Sequence, residues 1–249
     1  TIEDMRSTLR TGTPDADTPD MQPGTCWTCK SPDVPRVMHE QGIAEFYKHK
    51  WSELGTEIVN PLGCADCHDP ETMNLTITRP ALIEAFERQG KSVADATPQE
   101  MRTLVCAQCH VEYYFKGDGK YLTFPWDKGQ TVEEIETYYD QTEFSDWTHA
   151  LSRAPMLKAQ HPDYELFQLG PHAQRGLGCA DCHMPYMSEG GIKYSNHQVM
   201  SPFKNISSTC QTCHRDSEEN LRKYVYDYQD KALEIRDRIE TELSKAHIM

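Results

Sequence analysis

Residues 179–183 read CADCH, and the same string stands at 64–68. Two further versions, CAQCH at 106–110 and CQTCH at 210–214, and one variant, CWTCK at 26–30, take up all ten cysteines of the chain. Scattered cysteines would find a partner three residues on about 4% of the time, so five pairs out of five reflect a constraint on spacing. The spacing has a use. On a helical turn, positions i and i+3 share one face about 5–6 Å apart, which suits the two vinyl carbons of a protohaem. A histidine at i+4 can then swing its imidazole beneath the ring to ligate iron, and Cys-x-x-Cys-His is the signal for c-type haem attachment. A zinc site would use two pairs together or a distant pair of histidines. A thioredoxin-like motif would occur once or twice within βαβ patterns, and a disulfide scaffold would not need paired spacing. Five covalent haems are therefore expected, on Cys26 and Cys29, Cys64 and Cys67, Cys106 and Cys109, Cys179 and Cys182, and Cys210 and Cys213. His68, His110, His183 and His214 would be their proximal ligands.

Five haems also account for the composition. Only 37% of the 249 residues are hydrophobic and the mean hydropathy is -0.72, low for a globular chain, because porphyrins supply much of the apolar core. The predicted fold is mainly α: a multihaem cytochrome c with irregular loops, a haem-packed core and a long C-terminal amphipathic helix. Covalent haem attachment implies a periplasmic address. With 39 acidic against 25 basic residues the formal charge is -14, which excludes the phosphate-facing basic surface of a non-specific nucleic-acid binder. No run approaches the roughly 18–20 apolar residues of a membrane span. The opening TIEDMRSTLRTG has no apolar stretch, so any targeting segment is expected to have been removed or never included.

Local signals place several elements. Thr97-Pro98-Gln99-Glu100 is a capping box with proline at the first helical position, leading into the Cys106 pair. Pro80 to Arg88 reads as a short helix stopped by Gly90, Thr131 with Glu134 caps another, and 120–126 is a short strand or extended loop. Asp216 with Glu219 is expected to open the last helix. Its apolar stripe runs through Leu221, Val225, Tyr228, Ala232, Ile235, Ile239 and Leu243 and would pack on another helix, within the chain or across a dimer. The expected division is a haem-binding catalytic domain over 1–215 and the start of a dimerisation-type helical segment over 216–249.

Lys30 breaks the pattern at the first pair. A haem with histidine on both faces carries electrons and has no room for substrate, so a lysine ligand, neutral when bound to iron, marks the exceptional haem; a distant histidine ligating that iron is the competing reading. At this point a family becomes recognisable. LRTGTP (9–14), CWTCKSPDVPR (26–36), EIVNPLGCADCH (57–68), CAQCHVEYYF (106–115), FPWD (124–127), FSDWT (144–148), PMLKAQHPDYE (155–165) and CADCHMP (179–185) closely resemble pentahaem, ammonia-forming cytochrome c nitrite reductase. The resemblance covers essentially the whole chain.

It implies six-electron reduction of nitrite to ammonium at the Lys30-ligated haem, fed by four further haems. Arg10, Tyr113 and His161 would ring the open face. Calcium would be held by Glu112, the carbonyls of Tyr113 and Lys158, and the side chain of Gln160. His172 and His197 would be distal ligands of the fifth and second haems. The residue types suit the chemistry independently: a guanidinium and an imidazole offer charge-assisted donors to an oxyanion, histidine and tyrosine can deliver protons, and calcium prefers carboxylate and carbonyl oxygens. A distal-ligand role is the other one open to His161.

Histidine arithmetic leaves a gap. His39, His49, His149 and His247 remain, and no histidine precedes Lys30, where the family places the third haem's distal ligand. The third and fourth haems would then lack their usual sixth ligands, and the chain is expected to be part of a longer protein. The remaining histidines would be solvated or supporting, or substitutes. The implied partners are nitrite, an electron donor of quinol dehydrogenase or small cytochrome type, a membrane-associated donor being one option, and a second copy in a full-length homodimer. The rivals are a portion of an octahaem nitrite reductase and an electron-transfer cytochrome with every iron capped twice.

Overall fold

The computed structural model describes residues 22–248. Arg10 lies outside them, as does the side chain of His247. The described residues fall into two compact units, one ending at Gly178 and the other beginning at Cys179. In the first unit helices α1 (Asp33–Gln41), α2 (Ile43–Lys48), α3 (Trp51–Leu54), α4 (Pro80–Arg88), α5 (Pro98–Ala107), α6 (Val132–Gln141), α7 (Asp163–Leu169) and α8 (Pro171–Gln174) are joined by irregular loops. Two hairpins interrupt them. β1 (Tyr114–Lys116) pairs antiparallel with β2 (Tyr121–Thr123), and β3 (Trp147–Thr148) with β4 (Pro155–Met156).

Helices start where their caps dictate. Thr97 Oγ1 accepts the Glu100 N–H at 3.2 Å while the Glu100 carboxylate accepts the Thr97 N–H at 2.7 Å, and Thr131 with Glu134 repeats the arrangement ahead of α6. Each box satisfies helix-end donors that would otherwise lack partners. Pro80 opens α4, and Gly90, at φ +71°, takes the left-handed conformation just beyond its end. The 120–126 segment resolves as strand β2 running into an extended stretch.

The first unit has a side-chain core beside the Lys30 motif. Trp27 is fully buried and stacks on Trp51 with ring centroids 3.6 Å apart, donating its indole N–H to the Trp51 carbonyl at 3.0 Å. Val34, Phe46, Tyr47, Leu54, Leu82, Leu104 and Phe124 join the same cluster. Gly24, on the turn carrying Trp27, is held against this wall: an added Cβ would meet the His49 carbonyl oxygen at 2.7 Å and Leu54 Cδ1 at 2.9 Å. Gly24→Ala is therefore expected to destabilise by about 1–3 kcal/mol through overpacking, read as a lower midpoint in denaturant unfolding.

The second unit contains α9 (Cys179–His183), the hairpin of β5 (Tyr186–Glu189) and β6 (Ile192–Ser195), and α10 (Glu218–Ile248). Its buried apolar side chains are few, Ala180, Ile206 and Leu221, while Met187, Ile192, Tyr194 and Val199 are exposed. A chain with so little side-chain core needs another source of apolar contact, and attached porphyrins suit that need. The last helix begins later than expected: Ser217 caps it, its hydroxyl accepting the Asn220 N–H at 3.2 Å, while the Asp216 carboxylate takes the Tyr224 hydroxyl at 3.5 Å. Along the stripe Leu221 is buried, whereas Val225, Tyr228, Ile235, Ile239 and Leu243 are exposed. Among the described residues no helix is long and apolar enough to cross a membrane.

Candidate active site

Each cysteine pair sits on a tight turn. Residues 24–29, 64–66 and 210–212 are 3₁₀ helix, Cys106 lies at the end of α5, and 179–183 is α9. None of the ten cysteines is in a disulfide. In three histidine motifs the residue after the pair closes on the first cysteine: His68, His110 and His214 donate their N–H to the carbonyls of Cys64, Cys106 and Cys210 at 2.8, 2.9 and 2.8 Å. Lys30 differs, donating to Trp27 at 2.9 Å. Its turn is one residue tighter, so its side chain leaves from a different point and has the longer stem with which to reach an iron.

The imidazole hydrogen bonds sort the histidines by role. A neutral ring has one N–H and one lone pair, and the partner of one nitrogen fixes the state of the other. Nδ1 of His68 faces the Met73 carbonyl at 2.7 Å, Nδ1 of His183 the Met200 carbonyl at 3.0 Å, and Nδ1 of His197 the Ser195 carbonyl at 2.9 Å. A carbonyl can only accept, so each of these Nδ1 atoms donates, the arrangement that in a neutral ring puts the lone pair on Nε2, where a metal would bind. His110 has the same disposition toward the Asp163 carboxylate at 3.1 Å. Cysteine pairs on turns, unbridged and beside rings poised in this way, fit covalent haem.

His161 is set the other way. Its Nδ1 accepts the Val111 N–H at 3.3 Å, which places the proton of the neutral ring on Nε2 as a donor. Partial burial, then the neighbouring His110 and Lys30, keep its pKa below the ordinary 6.5. His161 and Tyr113 meet edge to face with centroids 5.5 Å apart. Both line a cavity of about 280 Å³ together with Cys26, Cys29, Lys30 and Lys158. Burial foremost, with Cys29 and Cys26 nearby, raises the Tyr113 phenol above its usual range, so it stays protonated. A larger cavity, about 790 Å³, is lined by residues such as Lys91, Thr103, Tyr164 and Leu177, and by none of the expected substrate-facing residues that the structure describes.

Glu112, the one carboxylate of the expected calcium set, contacts another member of it, Gln160, through that residue's backbone N–H and not its side chain. Oε2 of Glu112 accepts the Gln160 N–H at 2.7 Å and Oε1 the Tyr139 hydroxyl at 3.1 Å. The Lys158 N–H is held by Asp146 at 2.7 Å. Burial, with Glu165 and Asp146 adding negative charge against the pull of Gln160 and Tyr139, pushes Glu112 up to about 7. One oxygen of Glu165, Oε2, is buried with no hydrogen-bond partner. A buried carboxylate oxygen short of a donor suits a hard cation. Among the described residues no three His, Cys, Asp or Glu side chains converge as a ready-made cage, and the expected set contains only one carboxylate. Because Glu112 adjoins Tyr113 and Gln160 adjoins His161, the Glu112–Gln160 contact also clamps the two cavity residues.

His172 lies on α8 and His197 follows β6. His49 engages Glu53 and Gln41, and His149 engages Ser152. Asp163, Glu165, Asp146 and Tyr139 went unnoticed in the sequence. The available signal was the acidic pair within HPDYE, two and four residues beyond His161.

Comparison with known proteins shows what the chain is similar to. A family model described as cytochrome c552 matches residues 1–249. Cytochrome c-552 of Parabacteroides distasonis is 69% identical over 247 residues, 99% of this chain and 50% of its own length. That of Aliarcobacter butzleri is 50% identical over 256 residues, covering 99% and 52%. The solved catalytic subunit of cytochrome c nitrite reductase from Desulfovibrio desulfuricans, described with two calcium sites, is 40% identical with a TM-score of 0.80, over 87% of this chain and 49% of that one. The chain thus spans about half the length of the curated relatives it matches.

Proposed function

Since this chain belongs to the cytochrome c552 family, we propose that it forms the haem-bearing, substrate-reducing part of a periplasmic, ammonia-forming nitrite reductase that is a homodimer at full length. Its electrons would come from a quinol dehydrogenase or small cytochrome. The observation that carries this reading is the opposite setting of His161 from the ligating histidines, in the cavity it shares with Lys30. Were His161 instead a distal ligand in a cytochrome that only conducts, its Nε2 lone pair would have to be free, and the Val111 N–H opposes that state.

A haem held through Cys26 and Cys29, with Lys30 as its ligand, would supply the iron at which nitrite is reduced, and the four other haems would supply the electrons. The chain's own residues do the rest. Nε2–H of His161 and the Tyr113 hydroxyl stand as donors to the oxygens of bound nitrite, and deliver protons as N–O bonds break and water leaves. Lys158 adds positive charge at the cavity wall, and Arg10 is proposed to do the same. Glu112, holding Gln160, keeps the Tyr113 and His161 segments in register.

Ammonium yield tests the reading directly. The full-length holoenzyme with a chemical reductant should consume six electrons per nitrite and return the nitrogen as ammonium; accumulation of nitric oxide as the end product would count against it.

Calcium gives a separate expectation. A carboxyl raised from 4.5 to about 7 in the cation-free fold binds protons there that the unfolded chain has already released. Cation-free stability therefore falls as pH rises through that window, and the loss is complete above it. Calcium favours the ionised form, so the rise in thermal midpoint on adding calcium should be larger at about pH 8 than at about pH 5. A calcium effect independent of pH would remove Glu112 from the site.

A further inference from the structure

Three of the five attachment turns are tied to a single buried residue, two through its side chain and the third through its backbone N–H. Arg79, immediately before α4, is fully buried. Its Nε donates to the Thr28 carbonyl at 2.6 Å and its Nη2 to the Ser31 carbonyl at 2.9 Å. Nη2 also meets the Asp66 carboxylate, and Nη1 the Thr78 hydroxyl. The Arg79 backbone N–H donates to Gln108 Oε1 at 3.2 Å, and Gln108 Nε2 donates to the Asp66 carbonyl at 2.7 Å. Asp66 is anchored in turn by the Gly63 N–H at 2.8 Å.

The positions involved are the same in each motif. Thr28, Asp66 and Gln108 each stand directly before the second cysteine of the first, second and third pairs, and all three are buried. The first and third turns also lie close together, the Cys29 and Cys109 sulfurs acting on each other electrostatically. A buried Arg–Asp pair adds little net stability compared with an apolar filling, and what it can give is a single geometry. Arginine suits that task because its planar fork addresses several acceptors at fixed angles.

We propose that Arg79 is a positioning residue that locks the first three attachment turns to one another and thereby sets the spacing, and so the electronic coupling, of the haems they carry. This rests only on the haem-attachment part of the proposed function, not on nitrite as substrate.

The test uses the full-length holoenzyme with Arg79→Lys and Asp66→Asn, reading covalent haem content by mass, magnetic coupling between ferric haems by electron paramagnetic resonance, and reduction potentials by titration. Arg79→Lys keeps the charge but cannot span Thr28, Ser31 and Asp66 together. Five haems should remain, with the coupling between the first and third weakened. Asp66→Asn keeps the fork on the two carbonyls but leaves the arginine charge uncompensated. Coupling should persist, while the reduction equilibria of the first three haems shift about tenfold toward the reduced form, ~59 mV for a one-electron couple. The haems of the fourth and fifth motifs serve as the internal reference. Unchanged coupling in Arg79→Lys with five haems attached overturns the proposal, as does loss of coupling in Asp66→Asn with unchanged potentials. A holoenzyme that shows these effects yet leaves nitrite untouched would sink the substrate reading and not this one.

Discussion

Lys30→His is expected to leave all five haems attached and to lower nitrite turnover roughly 10–100-fold, the range that altered surroundings of a metal ligand produce. The two thioether positions are untouched, and Cys-x-x-Cys-His is itself an attachment signal, so loss of haem is not the expected effect. What changes is the donor and its reach. Lys30 leaves a turn closed on Trp27, whereas the histidine turns at 64, 106 and 210 close on their first cysteine. An imidazole placed there starts from the wrong point on a shorter stem. Haem content by mass, alongside turnover, separates the two effects. Full turnover with five haems would remove the special status of this position.

His161→Gln is expected to cost more, about 10²–10⁴-fold in turnover, the usual contribution of a positioned acid. Glutamine can still accept the Val111 N–H through its side-chain oxygen, so the segment keeps its anchor while the ionisable proton donor is lost. The pH dependence carries the sign. The imidazole's pKa lies below the ordinary 6.5, so a reaction using its charged form slows as pH rises through that lower value, and the variant should lack this limb. Tyr113→Phe, which removes a group protonated throughout, should lower the rate without moving the limb. A His161→Gln profile that keeps the limb would assign the titration to another residue.

The legible parts of this molecule are those whose information is local. Thr97 and Thr131 announce their helices because a capping box needs only four consecutive residues, and the attachment turns announce themselves for the same reason. The start of the last helix was misread by one residue because Asp216 and Ser217 are both good caps, and only the Tyr224 hydroxyl on Asp216 separates them. The stripe on that helix is real as a pattern, but periodicity does not say whether a partner lies in the same chain, and here most of it is exposed. The tautomers of His68, His110, His183, His197 and His161 depend on partners from 2 to 53 residues away, and few of those partners carry a sequence signal. Arg79 was invisible for a related reason. Between a threonine and a proline it reads as an ordinary helix-start residue, and its acceptors lie 51, 48 and 13 residues distant.

The most direct measurement is a crystal structure of the full-length, haem-loaded protein soaked with nitrite. The account predicts Lys30 Nζ on one face of the iron attached through Cys26 and Cys29, and nitrite on the other, toward Tyr113 and His161. A protein side chain bound on both faces of that iron would contradict it.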